Sequence, residues 1–168
     1  FITEFPQRNN LIRNLSIDLK GNTLVLFSLI KHGELLHQLI KEKSNDRKTF
    51  FVYGGTDSET REKIRGIVEK ERDAIVVASF GVFSTGINIR NLHNIVFASP
   101  SKSQVKVLQS IGRGLRQSDN GSVTKLYDIA DDMHIKSHKN FTLRHSAERI
   151  KIYTKEQFPY KIHQIDLK

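Results

Sequence analysis

Thr23-Leu-Val-Leu-Phe-Ser28 is a short apolar run with no alternation, and the stretch behind it changes period, placing Leu35, Leu36, Leu39 and Ile40 at helical spacing. An unalternating apolar run reads as a strand buried on both faces, and a following 3.6-residue period reads as an amphipathic helix. The same unit then recurs. Lys48-Thr-Phe-Phe-Val-Tyr53 is stopped by Gly54-Gly55, and Asp57 or Ser58 is placed to cap a charged helix with the apolar stripe Ile64, Ile67 and Val68. Ala74-Ile-Val-Val-Ala-Ser79 is a third strand, Asn94-Ile-Val-Phe-Ala98 a fourth ended by Pro100, and residues 123 to 129 a fifth, after a helix at about 103 to 115. Buried strands separated by amphipathic helices predict an α/β domain, a parallel sheet covered on both faces. In such sheets ligands gather at the carboxyl ends of the strands. The loops after Ser28, Tyr53, Ser79 and Ala98 are therefore where function should sit.

The bulk numbers agree with one domain. The chain has 168 residues, 38% of them hydrophobic, enough for a single core. No apolar run reaches membrane-spanning length, so no membrane partner is expected. Phe1-Ile2-Thr3-Glu4 shows neither a signal-peptide pattern nor an initiator Met, so a piece of a longer chain is expected. Without cysteine there is no disulfide and no thiolate metal site. Lys and Arg number 27 against 18 Asp and Glu, a net charge of +9. That excess favours a polyanionic partner, because each phosphate contact releases counterions.

From about residue 131 the character changes. Four of the seven histidines lie there (His134, His138, His145, His163), among many lysines and arginines. A helical, basic appendage is expected at about 141 to 157, with a short extended end at 161 to 167. Its basic residues (Lys136, Lys139, Arg144, Arg149, Lys151, Lys155) read either as a DNA-gripping face or as the solvated side of a helix packed through Ile150 and Tyr153. His134 and His138 stand four apart near Asp131 and Asp132, yet without a third ligand at clear spacing they read as helix surface, and no metal site is expected.

The most specific stretch is Gln109-Ser-Ile-Gly-Arg-Gly-Leu-Arg-Gln117. On a helix, Gln109, Arg113 and Arg116 fall in one sector, while Leu108, Ile111 and Leu115 face the other way. Gly112 and Gly114 each cost about 1 kcal/mol in a helix interior, which suggests close approach of another surface. Two guanidiniums on one face suit a phosphate chain. Taken alone, they equally describe a solvated basic face.

Gln-x-x-Gly-Arg-x-x-Arg resembles motif VI of superfamily 2 helicases. Leu24-Val-Leu-Phe-Ser28 with Lys31-His-Gly-Glu-Leu-Leu36 resembles motif IV. Tyr53-Gly-Gly-Thr-Asp-Ser-Glu-Thr-Arg61 resembles the glycine turn and following arginine of the next motif, and Val77-Ala-Ser-Phe-Gly-Val-Phe-Ser-Thr-Gly-Ile-Asn88 resembles motif V. The motifs stand in order, each at a strand end, across about residues 20 to 130. Within the family the chain resembles phage branch-migrating recombination helicases, related to the RecG and XPB types.

The resemblance implies a RecA-like, P-loop-NTPase-type second motor lobe over residues 1–130 with a tail over 131–168. It implies arginine fingers at Arg113 and Arg116, the latter on the γ-phosphate, with Gly86, Asn88 and Gln109 bordering the ATP. Many relatives carry Asp where this chain has Asn88, which can hydrogen-bond a ribose but bears no charge. Ser28, Gly54, Gly55 and Ser79 are implied contacts to the DNA backbone, although each serine could instead make a local cap and the glycines a turn needing positive φ. The implied partners are branched, forked or junction DNA, an RNA–DNA hybrid, and the N-terminal lobe of the same chain, in the cytoplasm of a bacterial host.

No Gly-x-x-x-x-Gly-Lys-Ser/Thr and no Asp-Glu-x-His occurs. ATP and Mg²⁺ would therefore be held mainly by the other lobe, and this chain alone is expected neither to bind ATP tightly nor to hydrolyse it. An RNA helicase lobe, a duplex translocase and a noncatalytic nucleic-acid-binding module remain open alternatives.

Overall fold

The computed structural model describes residues 2–85, 89–99, 123–133 and 141–167. A 3-10 turn, Ile2–Glu4, leads into α1 (Pro6–Asp18), then β1 (Thr23–Phe27), α2 (Ile30–Lys43), β2 (Thr49–Val52), α3 (Ser58–Lys70), β3 (Ile75–Ser79) and α4 (Phe80–Thr85). β4 (Asn94–Phe97), β5 (Lys125–Asp128) and α5 (Phe141–Lys155) complete the described elements. The five strands form one sheet in the order β2-β3-β1-β4-β5, every pair parallel. Thr23 lies beside both Ile75 and Asn94, so the strands start in step and their carboxyl ends share one edge.

All five strands read from the sequence are present, and the side-chain period of 2 divides them between two layers. Leu24, Leu26, Val76, Ala78, Ile95 and Phe97 point to one face, where Val68 of α3, Phe80 and Val82 of α4 and Tyr153 of α5 cover them. Val25, Phe27, Ile75, Val77 and Val96 point to the other, under Ile12 of α1 and Leu36 and Ile40 of α2. Asp57 caps α3, its Oδ1 accepting the Thr60 N–H at 2.8 Å.

The amino edge of the sheet is tied by polar side chains. Asn22 donates to the carbonyls of Val68, Glu71 and Asn91 and accepts the Ala74 N–H at 2.8 Å. Arg47 donates to the carbonyls of Ile17 and Asp73. Gly21, between α1 and β1, has φ +92°, and a Cβ there would sit 2.7 Å from the His93 ring, so only glycine fits.

Three features differ from the sequence reading, the first being the short α4 (Phe80–Thr85), which that reading does not contain. α1 was not foreseen; its buried residues are Arg8, Asn9, Ile12 and Ser16, a polar set that hides the apolar period. Arg149 belongs, in the sequence reading, to a basic set that is either a DNA-gripping face or the solvated side of a helix, but it is 1% exposed and forms a two-pronged pair with Asp128 at 2.6 and 2.7 Å. The Tyr153 hydroxyl donates to the same carboxylate at 2.7 Å. α5 is thus bound to β5 by a buried ion pair. Residues 158–167 carry no helix or strand. The arginine-bearing stretch at 103 to 116, with Gly86, Asn88, His134 and His138, lies outside the described residues.

Candidate nucleic-acid and nucleotide interface

The described part of the site is the carboxyl edge of the sheet. Ser28 follows β1 directly and is exposed, and Leu29 and Ile30 after it are also exposed. α2 begins here with Leu29 at its N-cap and no side-chain cap. The first amides of a helix have no partner within the helix, and they carry the positive end of its dipole. Lys31, exposed in the first turn, adds a full charge. This donor set suits phosphate oxygens.

The β2–α3 loop is built differently. Tyr53 and Thr56 close a turn, with the Thr56 N–H on the Tyr53 carbonyl at 3.0 Å and Thr56 Oγ1 accepting the Tyr53 N–H at 3.1 Å. Arg61 reaches back from α3 and donates to the carbonyls of Thr56 (2.7 Å) and Gly54 (3.0 Å). Gly54 and Gly55 are exposed on this turn. Neither has the positive φ that a glycine turn suggests; among the described glycines only Gly21 does. A Cβ on Gly55 would instead meet the Tyr53 ring at 2.5 Å, so close approach of that ring accounts for the glycine. The cap carboxylate of Asp57 is held below the usual range by the Thr60 amide and hydroxyl, so the start of α3 already holds an anion. Phosphate at this loop would therefore be met by the glycine turn rather than by the helix end.

Ser79 closes β3, and its hydroxyl accepts the Val82 N–H at 3.4 Å as a long cap on α4. The local reading of this serine therefore has a partner, and its hydroxyl is half-buried. Ser28, Gly54, Gly55 and Ser79 thus sit on adjacent strand ends, in the spatial order β2, β3, β1.

Sequence reading passed over a buried polar network behind Ser28. The Ser28 N–H donates to Ser99 Oγ at 3.2 Å. Ser99 Oγ lies 3.5 Å from His32 Nδ1, and His32 Nε2 lies 3.0 Å from Asn9 Oδ1. Beside them Arg8, 2% exposed, pairs with Asp131 at 2.5 Å and donates to the Ala98 carbonyl at 2.9 Å. Burial first, then the Arg8 charge, lowers the His32 pKa to about 4 against an opposing pull from Asp131, so His32 is neutral at physiological pH. The sequence did hold the signal. His32, Leu36 and Ile40 are spaced four apart, which puts the histidine on the core face of α2. Among the described residues no three His, Asp or Glu side chains gather to hold a metal ion, and no helix is long and apolar enough to cross a membrane.

Residues 7–118 match the helicase conserved C-terminal domain model. The chain belongs to that family. It is 36% identical to the ATP-dependent DNA helicase uvsW of Enterobacteria phage T4 over 99% of its own length and 35% of that protein. The chain therefore spans about a third of this relative. The crystal structure of T4 UvsW superposes with a TM-score of 0.81, covering 99% of this chain and 36% of the other. The yeast DEAD-box splicing factor Prp28 (TM-score 0.64, 17% identity, 89% of this chain and 30% of the other) shares the fold. So does the C-terminal domain of the DEAD-box protein Dbp5 (TM-score 0.64, 13% identity, 89% and 79%). The parallel sheet flanked by helices is thus the RecA-like fold of helicase C-terminal domains.

Proposed function

We propose that this helicase C-terminal domain is the second motor lobe of an ATP-dependent DNA helicase that unwinds or branch-migrates branched DNA in recombination, repair and fork processing. The observation that carries the reading is the 36% identity to a DNA helicase, maintained over 99% of the chain. In this reading residues 1–130 form the lobe, 131–168 extend it, and the protein works in the cytoplasm of a phage-infected cell.

The chain's own residues divide the work. Arg113 and Arg116 lie inside the family match and act as fingers toward ATP held, with Mg²⁺, mainly by an N-terminal lobe. Bound ATP supplies the phosphoanhydride whose cleavage drives the motor. Fingers of this kind neutralise charge in the transition state and are worth about 10³–10⁵ in rate. Gly86, Asn88 and Gln109 border the nucleotide. Ser28, Gly54, Gly55 and Ser79 take the sugar–phosphate backbone without reading bases, as amides and hydroxyls on loops can. The uncapped start of α2 and the exposed Lys31 support that role for the β1–α2 loop. Closure of the lobes on ATP and their release after hydrolysis alternate the grip on DNA.

The test is ATP turnover by a polypeptide holding both lobes, with branched DNA, linear duplex or RNA added. Strong stimulation by branched DNA supports the reading. Stimulation by RNA alone would make this an RNA helicase lobe, and no turnover under any condition would leave a binding module.

A further inference from the structure

α5 carries two lines of side chains of opposite character. Thr142, His145, Arg149 and Tyr153, at i, i+3, i+7 and i+11, are buried against the rest of the domain. Arg144, Glu148, Lys151 and Lys155, at i, i+4, i+7 and i+11, form a second line, and all four are exposed. The basic set of this helix is thereby split. Arg149 belongs to the core, and the other three cations belong to the surface.

The exposed line carries an excess of positive charge. Glu148 is its one carboxylate, and it is tied to Lys151 at 2.9 Å. Among the described residues, Arg144 and Lys155 enter no ion pair. Past the helix Lys161 and His163 are exposed too, with Glu156 and Asp166 as the nearby carboxylates.

The line is also held firmly and in a useful place. Arg149 and the Tyr153 hydroxyl both grip Asp128, the last residue of β5. Thr142 Oγ1 donates to the carbonyl of Asp131, three residues further on, at 2.5 Å. α5 therefore starts at the carboxyl edge of the sheet, the edge that presents Ser28 and Ser79. β5 lies two strands from β1, about 10 Å across the sheet. At a rise of 1.5 Å per residue, Arg144 to Lys155 spans about 16 Å. Duplex DNA has one charge per about 1.7 Å of axis, so on the order of ten phosphates lie along that length. A duplex is also straight on this scale, with a persistence length of about 500 Å, and so can lie along a straight helix.

We propose that the exposed line of α5 is a second DNA contact, which holds the sugar–phosphate backbone of a duplex arm beside the edge that meets the tracking strand. Arg144 and Lys155 take phosphates directly, and Lys151 is shared between phosphate and Glu148. Charges of this kind set the position of an arm without reading its sequence. The inference rests on the DNA-helicase reading above and adds where the double-stranded part of a branched substrate lies.

The experiment uses the polypeptide with both lobes and compares wild type with the double variant Arg144→Gln, Lys155→Gln. It reads the Kd for forked DNA with a long duplex arm, and for a single strand alone, over a series of salt concentrations. Each phosphate contact contributes about 0.9 to the slope of log Kd against log salt, so the fork slope should flatten by about 2 while the single-strand slope holds. Glu148→Gln frees Lys151 and should steepen the fork slope by up to about 1. Lys41→Gln with Lys43→Gln removes the same charge from the exposed end of α2 and should leave the fork slope near wild type. An unchanged fork slope in the α5 variant, or an equal change in the α2 variant, overturns the contact. Equal flattening for fork and single strand overturns the assignment to a duplex arm. ATP turnover is measured on the same samples. A wild type without DNA-stimulated turnover overturns the motor reading, whereas a stimulated wild type with unaltered slopes overturns the α5 contact alone.

Discussion

His32 shows how burial sets the charge state of a single residue. Its pKa falls from 6.5 to about 4, chiefly through burial. Between those values the unfolded chain binds a proton that the folded chain does not. By linkage, the folded state is at full advantage above about pH 6.5 and loses stability as pH falls toward about 4, below which this group adds no further slope. Urea unfolding at a series of pH values should show this decline in wild type, and it should be shallower in His32→Gln, which has no proton to gain. Equal slopes in the two proteins would mean that His32 is not held neutral. The residue scale was also where the sequence was hardest to read. The motifs named Ser28, and Gly54 together with the Arg61 that reaches back to it, but the Ser99 hydroxyl that receives the Ser28 N–H lies 71 residues away, in a hydrogen bond that no local pattern encodes. Arg149 was misplaced for the same reason, because its role depends on Asp128, 21 residues upstream.

At the scale of elements, local pattern did well where burial is apolar. β1 to β5 begin and end within two residues of the runs that announced them, most plainly in the central β1, β3 and β4, which are buried on both faces and apolar for that reason. α1 escaped notice because its core face carries Arg8, Asn9 and Ser16, which are buried through hydrogen bonds rather than through apolar area. α5 was legible as a helix, and Tyr153 as its contact, but the ion pair beneath it was not. That pair makes a clear prediction. Asp128→Ala leaves the Arg149 guanidinium buried without its carboxylate, and breaking a buried pair from one side costs about 3–5 kcal/mol. Denaturant unfolding should show a loss of that order, with α5 exchanging its amide hydrogens earlier than β1. A loss of only a few tenths, as for an exposed pair, would show that water reaches this contact.

For the whole molecule, the sequence supplied the layers but not their arrangement. Each βα unit announces itself locally, whereas the order β2-β3-β1-β4-β5 sets β3 between β1 and β2, through pairings between distant segments that no local pattern encodes. The placement of β1 between β3 and β4 has a functional consequence. It sets the Ser28 loop beside both Ser79 and Ser99, so the proposed DNA contacts on β1 and β3 share one edge. The chain also matches 35% of its phage relative's length, and the proposed motor calls for a further lobe to hold ATP. The central claim is that this lobe completes an ATP site through Arg113 and Arg116. Its most direct test is DNA-stimulated ATP turnover of the two-lobed polypeptide, wild type against Arg116→Ala, with DNA affinity measured alongside. A fall in kcat of about 10³ or more at unchanged DNA affinity is the predicted result. Unchanged turnover in Arg116→Ala would contradict it.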